Sequence, residues 1–205
     1  MSIEGTFRKQ LLSAAIPFQH LIDAIGKPDP LITDEQYLAG KAVLRDGSVL
    51  LAHDDWQATN PFIPGFWKHA AIYSRGYVHE AIGSGCRKVL VERWLLQKDN
   101  FFIGHAAFSV DADKLEWFLC QQDGKPYNFL FDTETLNFQL TSQKAWYCAE
   151  LVYGALKYAA DPAQFNLQLQ TIMGDLTIPP QGLRDQVGTG LILDYMAINS
   201  TKQPV

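Results

Sequence analysis

Residues 66–82 read FWKHAAIYSRGYVHEAI, two β-rich runs flanking Ser74-Arg75-Gly76, and this antiparallel hairpin pattern constrains the fold more than any other stretch. Side chains alternate faces along a strand, so His69, Ala71 and Tyr73 share one face of the first run. A two-residue loop places Gly76, Val78, Glu80 and Ile82 on that same face of the partner. Glu80 then stands opposite or diagonal to His69, with Cβ atoms about 5 to 8 Å apart. A three-residue loop would present His79 instead of Glu80. Glu80 is the favoured partner, since a carboxylate orients an imidazole and stabilises its charged form.

Downstream, Trp146-Tyr147-Cys148-Ala149-Glu150-Leu151-Val152-Tyr153 opens an apolar-striped helix. Cys148 shares a helical face with Leu151, Val152, Ala155, Leu156 and Ala159, which turns the thiol inward. At a helix start, unpaired N–H groups and the positive end of the helix dipole favour thiolate and lower a thiol from about 8.5 toward neutrality. A cap at Thr141 or Ser142 would instead leave Cys148 a turn inside, beyond most of that help. Free cysteine is also a common small core residue, so the case for a nucleophile depends on partners elsewhere.

Composition narrows the partners. The net charge is −5, with no concentrated basic surface for nucleic acid or an anionic membrane. Cys86, Cys120 and Cys148 are odd in number and widely spaced, without a CxxC pair, so neither a disulfide framework nor a metal site is expected, and no cofactor fingerprint is present. No apolar run of about 18 residues is available to span a membrane. The N-terminal stretch has no sustained apolar segment, which makes the cytoplasm the expected location. At 205 residues the chain fits one domain, organised as an N-terminal helical extension (1–45), a core (46–160) and a C-terminal embellishment (161–205).

Helices are expected over residues 5–25, broken by Pro17, over 34–39 capped by Thr33, and over 111–122 with Leu115, Phe118 and Leu119 inward. Strands are expected at 48–52, in the 69–82 hairpin, at 87–91 before a helical turn at 92–95, and within 101–108. Residues 124–132 form an aromatic turn and extended segment. Asp161-Pro162 ends the Cys148 helix. Beyond it we expect a further short helix, an irregular turn at Pro179-Pro180-Gln181-Gly182, and little chemistry.

A cysteine, a histidine and a carboxylate make a minimal thiol-hydrolase set, in which thiolate attacks a carbonyl and imidazolium protonates the leaving group. Their order here, His69, Glu80, Cys148, reverses the papain order, as a circular permutation of that fold would. The chain resembles the permuted papain-like branch of the NlpC-type cell-wall peptidase superfamily, specifically its YiiX-like cysteine hydrolases, which are related to lecithin-retinol acyltransferase. The resemblance rests on Gly47-Ser48-Val49-Leu50-Leu51, Pro64-Gly65, His69-Ala70-Ala71-Ile72-Tyr73, Glu80-Ala81, Gly124-Lys125-Pro126-Tyr127-Asn128-Phe129 and Tyr147 to Tyr153, spanning about residues 46 to 157.

The resemblance implies an α+β, circularly permuted papain-like (NlpC-type) fold with an antiparallel sheet packed against the nucleophile helix. It implies Cys148 as nucleophile, His69 as general acid and base, Glu80 as orienting group, and Tyr127 and Tyr147 as substrate-binding residues. The implied activity is that of a cysteine peptidase or amidase on a small peptide or acyl-amide substrate, through an acyl-cysteine. Acyl transfer to or from lipid, thioesterase-type chemistry and a non-catalytic binding module are the alternatives. Ser48 stands where the family usually has an acidic residue, and Ala149 where a serine commonly follows the cysteine.

Overall fold

The computed structural model describes residues 29–55, 57, 60–128, 143–172 and 175–199. Six strands form one antiparallel sheet: β1 (Val49–His53), β2 (His69–Ser74), β3 (Tyr77–Ile82), β4 (Gly85–Leu90), β5 (Asn100–Ala106) and β8 (Leu191–Ile198). Their spatial order is β4-β3-β2-β1-β5-β8, and β6 (Gln170–Ile172) with β7 (Asp175–Thr177) forms a separate ribbon. The helices among the described residues are α1 (Asp34–Ala42), α2 (Val91–Leu95), α3 (Ala112–Gln122), α4 (Cys148–Ala159) and α5 (Pro180–Arg184). The expected α+β class and its central antiparallel sheet are the observed ones. The helix expected at residues 5–25 lies outside the described residues.

β1 sits at the centre of the sheet with every residue buried, which explains why Val49 to His53 is a continuous run and not an alternating one. Its odd positions, Val49 and Leu51, join Ala70, Ile72 and Phe102 under the α4 side chains Leu151, Val152 and Leu156. Its even positions, Leu50 and Ala52, pack with Ala71, Phe101 and Ile103 against Trp94 and Leu95 of α2 on the opposite face. Large side chains such as Leu151 and Leu156 contribute about 1.5–3 kcal/mol each on burial, while Ala149, Ala155 and Ala159 let the helix approach the sheet closely.

The hairpin loop is two residues long. Ser74 pairs with Tyr77, and Arg75 and Gly76 both take positive φ, 48° and 88°. That is the turn whose twist matches a hairpin, and Arg75 is held in it by its N–H to Asp46 Oδ1 at 2.7 Å. The loop length decides the parity question for Glu80 and against His79, which points to the other face and packs toward α3.

The C-terminal segment differs from expectation. Pro179 to Gly182 is not an irregular turn: Pro180 begins α5, where its missing N–H costs nothing. Leu191 to Ile198 adds a sixth strand to the main sheet, which its lack of strict alternation concealed. α1 also runs three residues further than expected, from a capping box in which Thr33 Oγ1 accepts from Gln36 N and Gln36 Oε1 from Thr33 N.

Candidate active site

α4 begins at Cys148, with extended Tyr147 as its cap residue. Glu150 accepts the Tyr147 N–H through Oε2 (3.3 Å) and Gln143 Nε2 through Oε1 (2.7 Å). Residues 143–147 are not helical, so Cys148 occupies the first helical position and not a position one turn inside. Trp146 is fixed by a parallel bridge to Tyr127, with Asn128 N to Trp146 O at 2.9 Å and Trp146 N to Pro126 O at 3.0 Å. The bridge brings the aromatic segment alongside the start of the helix.

His69, the first residue of β2, meets Cys148 there. Burial alone would raise the thiol; the hydrogen bond and charge of His69, with the N–H groups of Ala70 and Ala149, outweigh it and bring Cys148 below its ordinary value. Burial alone would lower the imidazole; hydrogen bonds and charge from Cys148 and Glu80 outweigh it and raise His69 to about 9. Both shifts favour a thiolate–imidazolium pair.

The Glu80 carboxylate is buried and Oε2 lies 2.8 Å from His69 Nε2. With Nε2 so engaged, Nδ1 is the nitrogen left for the thiol. Burial works against ionisation of Glu80, but the hydrogen bond and charge of His69, with the charges of Lys98 and Arg87, hold it far below the usual carboxylate range. Arg87 and Trp94 bond the same carboxylate. Neither was picked out in the sequence. The Gly83-Ser84 turn carries the signal for Arg87, since its register places Arg87 directly across from Glu80. Trp94 reaches Glu80 from α2, outside the hairpin ladder, and has no such signal.

Tyr127 is partly buried beside Cys148. Burial first, then the charge and hydrogen bonding of Cys148, hold its hydroxyl well above the usual phenol range, while the Cys148 backbone N–H reaches its oxygen and works the other way. Tyr147 turns elsewhere. Its hydroxyl shares a hydrogen bond with Thr177 Oγ1 (2.9 Å) and accepts from Ile178 N (3.1 Å). A second tie to the C-terminal segment comes from Gln181, whose Oε1 accepts from Phe66 N (3.0 Å) and Trp67 N (3.3 Å), just ahead of His69.

The family model for permuted papain-like amidase enzymes, YaeF/YiiX, C92 family, matches residues 43–189. The chain belongs to this family. No curated protein and no solved structure matches it.

In this family member, the two positions that the resemblance set apart, Ser48 and Ala149, have local explanations. Ala149 is fully buried in the core, where a hydroxyl would need a partner. Ser48 Oγ bonds Arg45 N (2.9 Å) and Arg45 O (2.6 Å) and lies 3.0 Å from His105 Nδ1, whose Nε2 contacts Asp194. This serine–histidine–aspartate line mimics a second triad. Ser48 is wholly buried and its oxygen is tied into the turn before β1, so the line fastens the strands together. Among the described residues, no helix is long and apolar enough to cross a membrane.

Proposed function

We propose that the chain hydrolyses an amide bond through an acyl-cysteine, with Cys148 as nucleophile, His69 as general acid and base, and Glu80 as the group that orients and charges His69. The observation that carries this reading is the line Glu80, His69, Cys148 at the first residue of α4, with the imidazole raised and the thiol lowered together.

In acylation, the Cys148 thiolate attacks the amide carbonyl carbon and a C–S bond forms. The oxygen of the tetrahedral intermediate carries the negative charge, where the Tyr127 hydroxyl, itself held by the Cys148 N–H, is suited to stabilise it. The imidazolium proton passes to the departing nitrogen, the C–N bond breaks, and the amine leaves. Neutral His69 then takes a proton from water, hydroxide adds to the thioester, and the acid product departs as the thiolate–imidazolium pair re-forms. Tyr147 serves this site by position, anchoring the residue before the nucleophile to Thr177 and Ile178.

The test is turnover of a panel of aminoacyl and N-acyl amides carrying a fluorogenic amine. Release of the amine should disappear in Cys148→Ala and fall by about 10³-fold or more in His69→Ala. Full activity in either variant would sink the reading.

A further inference from the structure

Glu80 is gripped by more groups than the orientation of one imidazole requires. Oε1 accepts from Arg87 Nε at 2.8 Å and Nη2 at 2.7 Å, while Oε2 accepts from Trp94 Nε1 at 2.8 Å beside His69 Nε2 at 2.8 Å. Arg87 reaches in from the edge strand β4, its side chain 51% exposed against 2% for Glu80. Lys98, held to Asp54 at 3.1 Å, adds a second positive charge near the carboxylate. The groups facing His69 are Glu80, Cys148 and the Trp94 ring, and Tyr127 interacts with Cys148.

We propose that Arg87 and Trp94 are positioning residues of this site: by sharing the Glu80 carboxylate they set how firmly His69 holds its proton. This rests on the thiol-hydrolase reading above and extends it. Acylation removes the Cys148 charge that helps raise His69, but a buried carboxylate with no other partner would still keep the proton on the imidazole, leaving scarce the neutral His69 that deacylation needs as a base. A guanidinium with two bonds to one oxygen draws negative charge away from the histidine. An indole N–H on the oxygen that His69 uses competes for the same electron density. Both keep Glu80 ionised and fixed while tempering its pull.

The experiment follows alkylation of Cys148 by iodoacetate in the full chain from pH 4 to 11, located by peptide mapping, with melting temperatures measured in parallel. Iodoacetate is an anion and reacts fastest where imidazolium accompanies the thiolate, so the rate falls on the alkaline side as His69 loses its proton. Arg87→Gln and Trp94→Phe should each move that alkaline limb up by about half to one pH unit, the scale expected for removing one charge or strong dipole at this range. Arg87→Lys should return most of the way to the parent profile.

A limb that stays in place or moves down in Arg87→Gln, whatever happens to the melting temperature, overturns the proposal and leaves these contacts to fold stability. Arg87 is half exposed, so this variant decides the matter even if Trp94→Phe fails to fold. Failure of the underlying hydrolase reading looks different: Cys148 in the parent protein would show no alkylation below about pH 8, the ordinary range of a thiol.

Discussion

His69 Nε2 stands 2.8 Å from Glu80 Oε2 across a diagonal of the hairpin, for the residue directly opposite Glu80 is Ala71. The small Ala71 side chain leaves room for the imidazole and the carboxylate to meet over it. This arrangement fixes the ring through one nitrogen and leaves the other for Cys148.

Replacing Glu80 by Gln keeps the shape and removes the charge. His69, raised to about 9 in part by Glu80, should then release its proton at lower pH, so the alkaline limb of kcat/KM moves down. Activity should fall by about 10²-fold or more. Stability follows the same sign. A histidine held above its ordinary 6.5 contributes stability that is complete below that value and lost as pH rises through about 9. The melting temperature of the parent should therefore decline more between those pH values than that of Glu80→Gln, as measured by thermal denaturation across pH.

The two tyrosines beside the nucleophile should separate cleanly. Tyr127→Phe removes a hydroxyl that interacts with Cys148, and kcat should drop by about 10- to 100-fold with the fold retained. Tyr147→Phe instead strands the buried Ile178 N–H and Thr177 hydroxyl, and should cost about 1–3 kcal/mol of stability in denaturant unfolding. Equal effects of the two on kcat at equal stability would contradict this division.

Gly65 is required by two facts at once. Its φ is 82°, and an added Cβ would come within 2.4 Å of Gln181 Cβ, the side chain that accepts the Phe66 and Trp67 N–H groups. Gly65→Ala should destabilise the chain by about 1–3 kcal/mol. It should also slow Cys148 alkylation, because the displaced strand carries His69. A thermal melt and an alkylation rate on the same sample check both.

Much of this was legible in the residues. The Ser74-Arg75-Gly76 turn and the period of two favoured Glu80 over His79 as the partner of His69, and the stripe from Cys148 to Ala159 gave α4 its inward face. Three things were hidden. The start of α4 depends on Gln143, Glu150 and a bridge between Tyr127 and Trp146, which are contacts across the fold and leave no local pattern. β8 lacks the alternation that marks a strand with one wet face, since Ile192 and Leu193 are both exposed at the sheet edge. The segment after residue 160 offered no nucleophile or base to notice, yet it supplies Thr177, Ile178 and Gln181 to hold the approaches to Cys148 and His69.

The central claim is that His69 activates Cys148, and the relative reactivity of the three thiols tests it. Cys120 is exposed, but burial of its sulfur and the neighbouring Glu116 raise it; Cys86 is pushed up by burial to about 12; Cys148 is 3% exposed and lowered. Native protein is treated with limiting chloroacetamide at pH 6, and the adduct is located by intact mass and peptide mapping. Cys148 should be labelled about tenfold or more faster than Cys120 despite its burial, and His69→Ala should erase the preference. Labelling of Cys120 or Cys86 ahead of Cys148, or an unchanged preference in His69→Ala, would contradict the account.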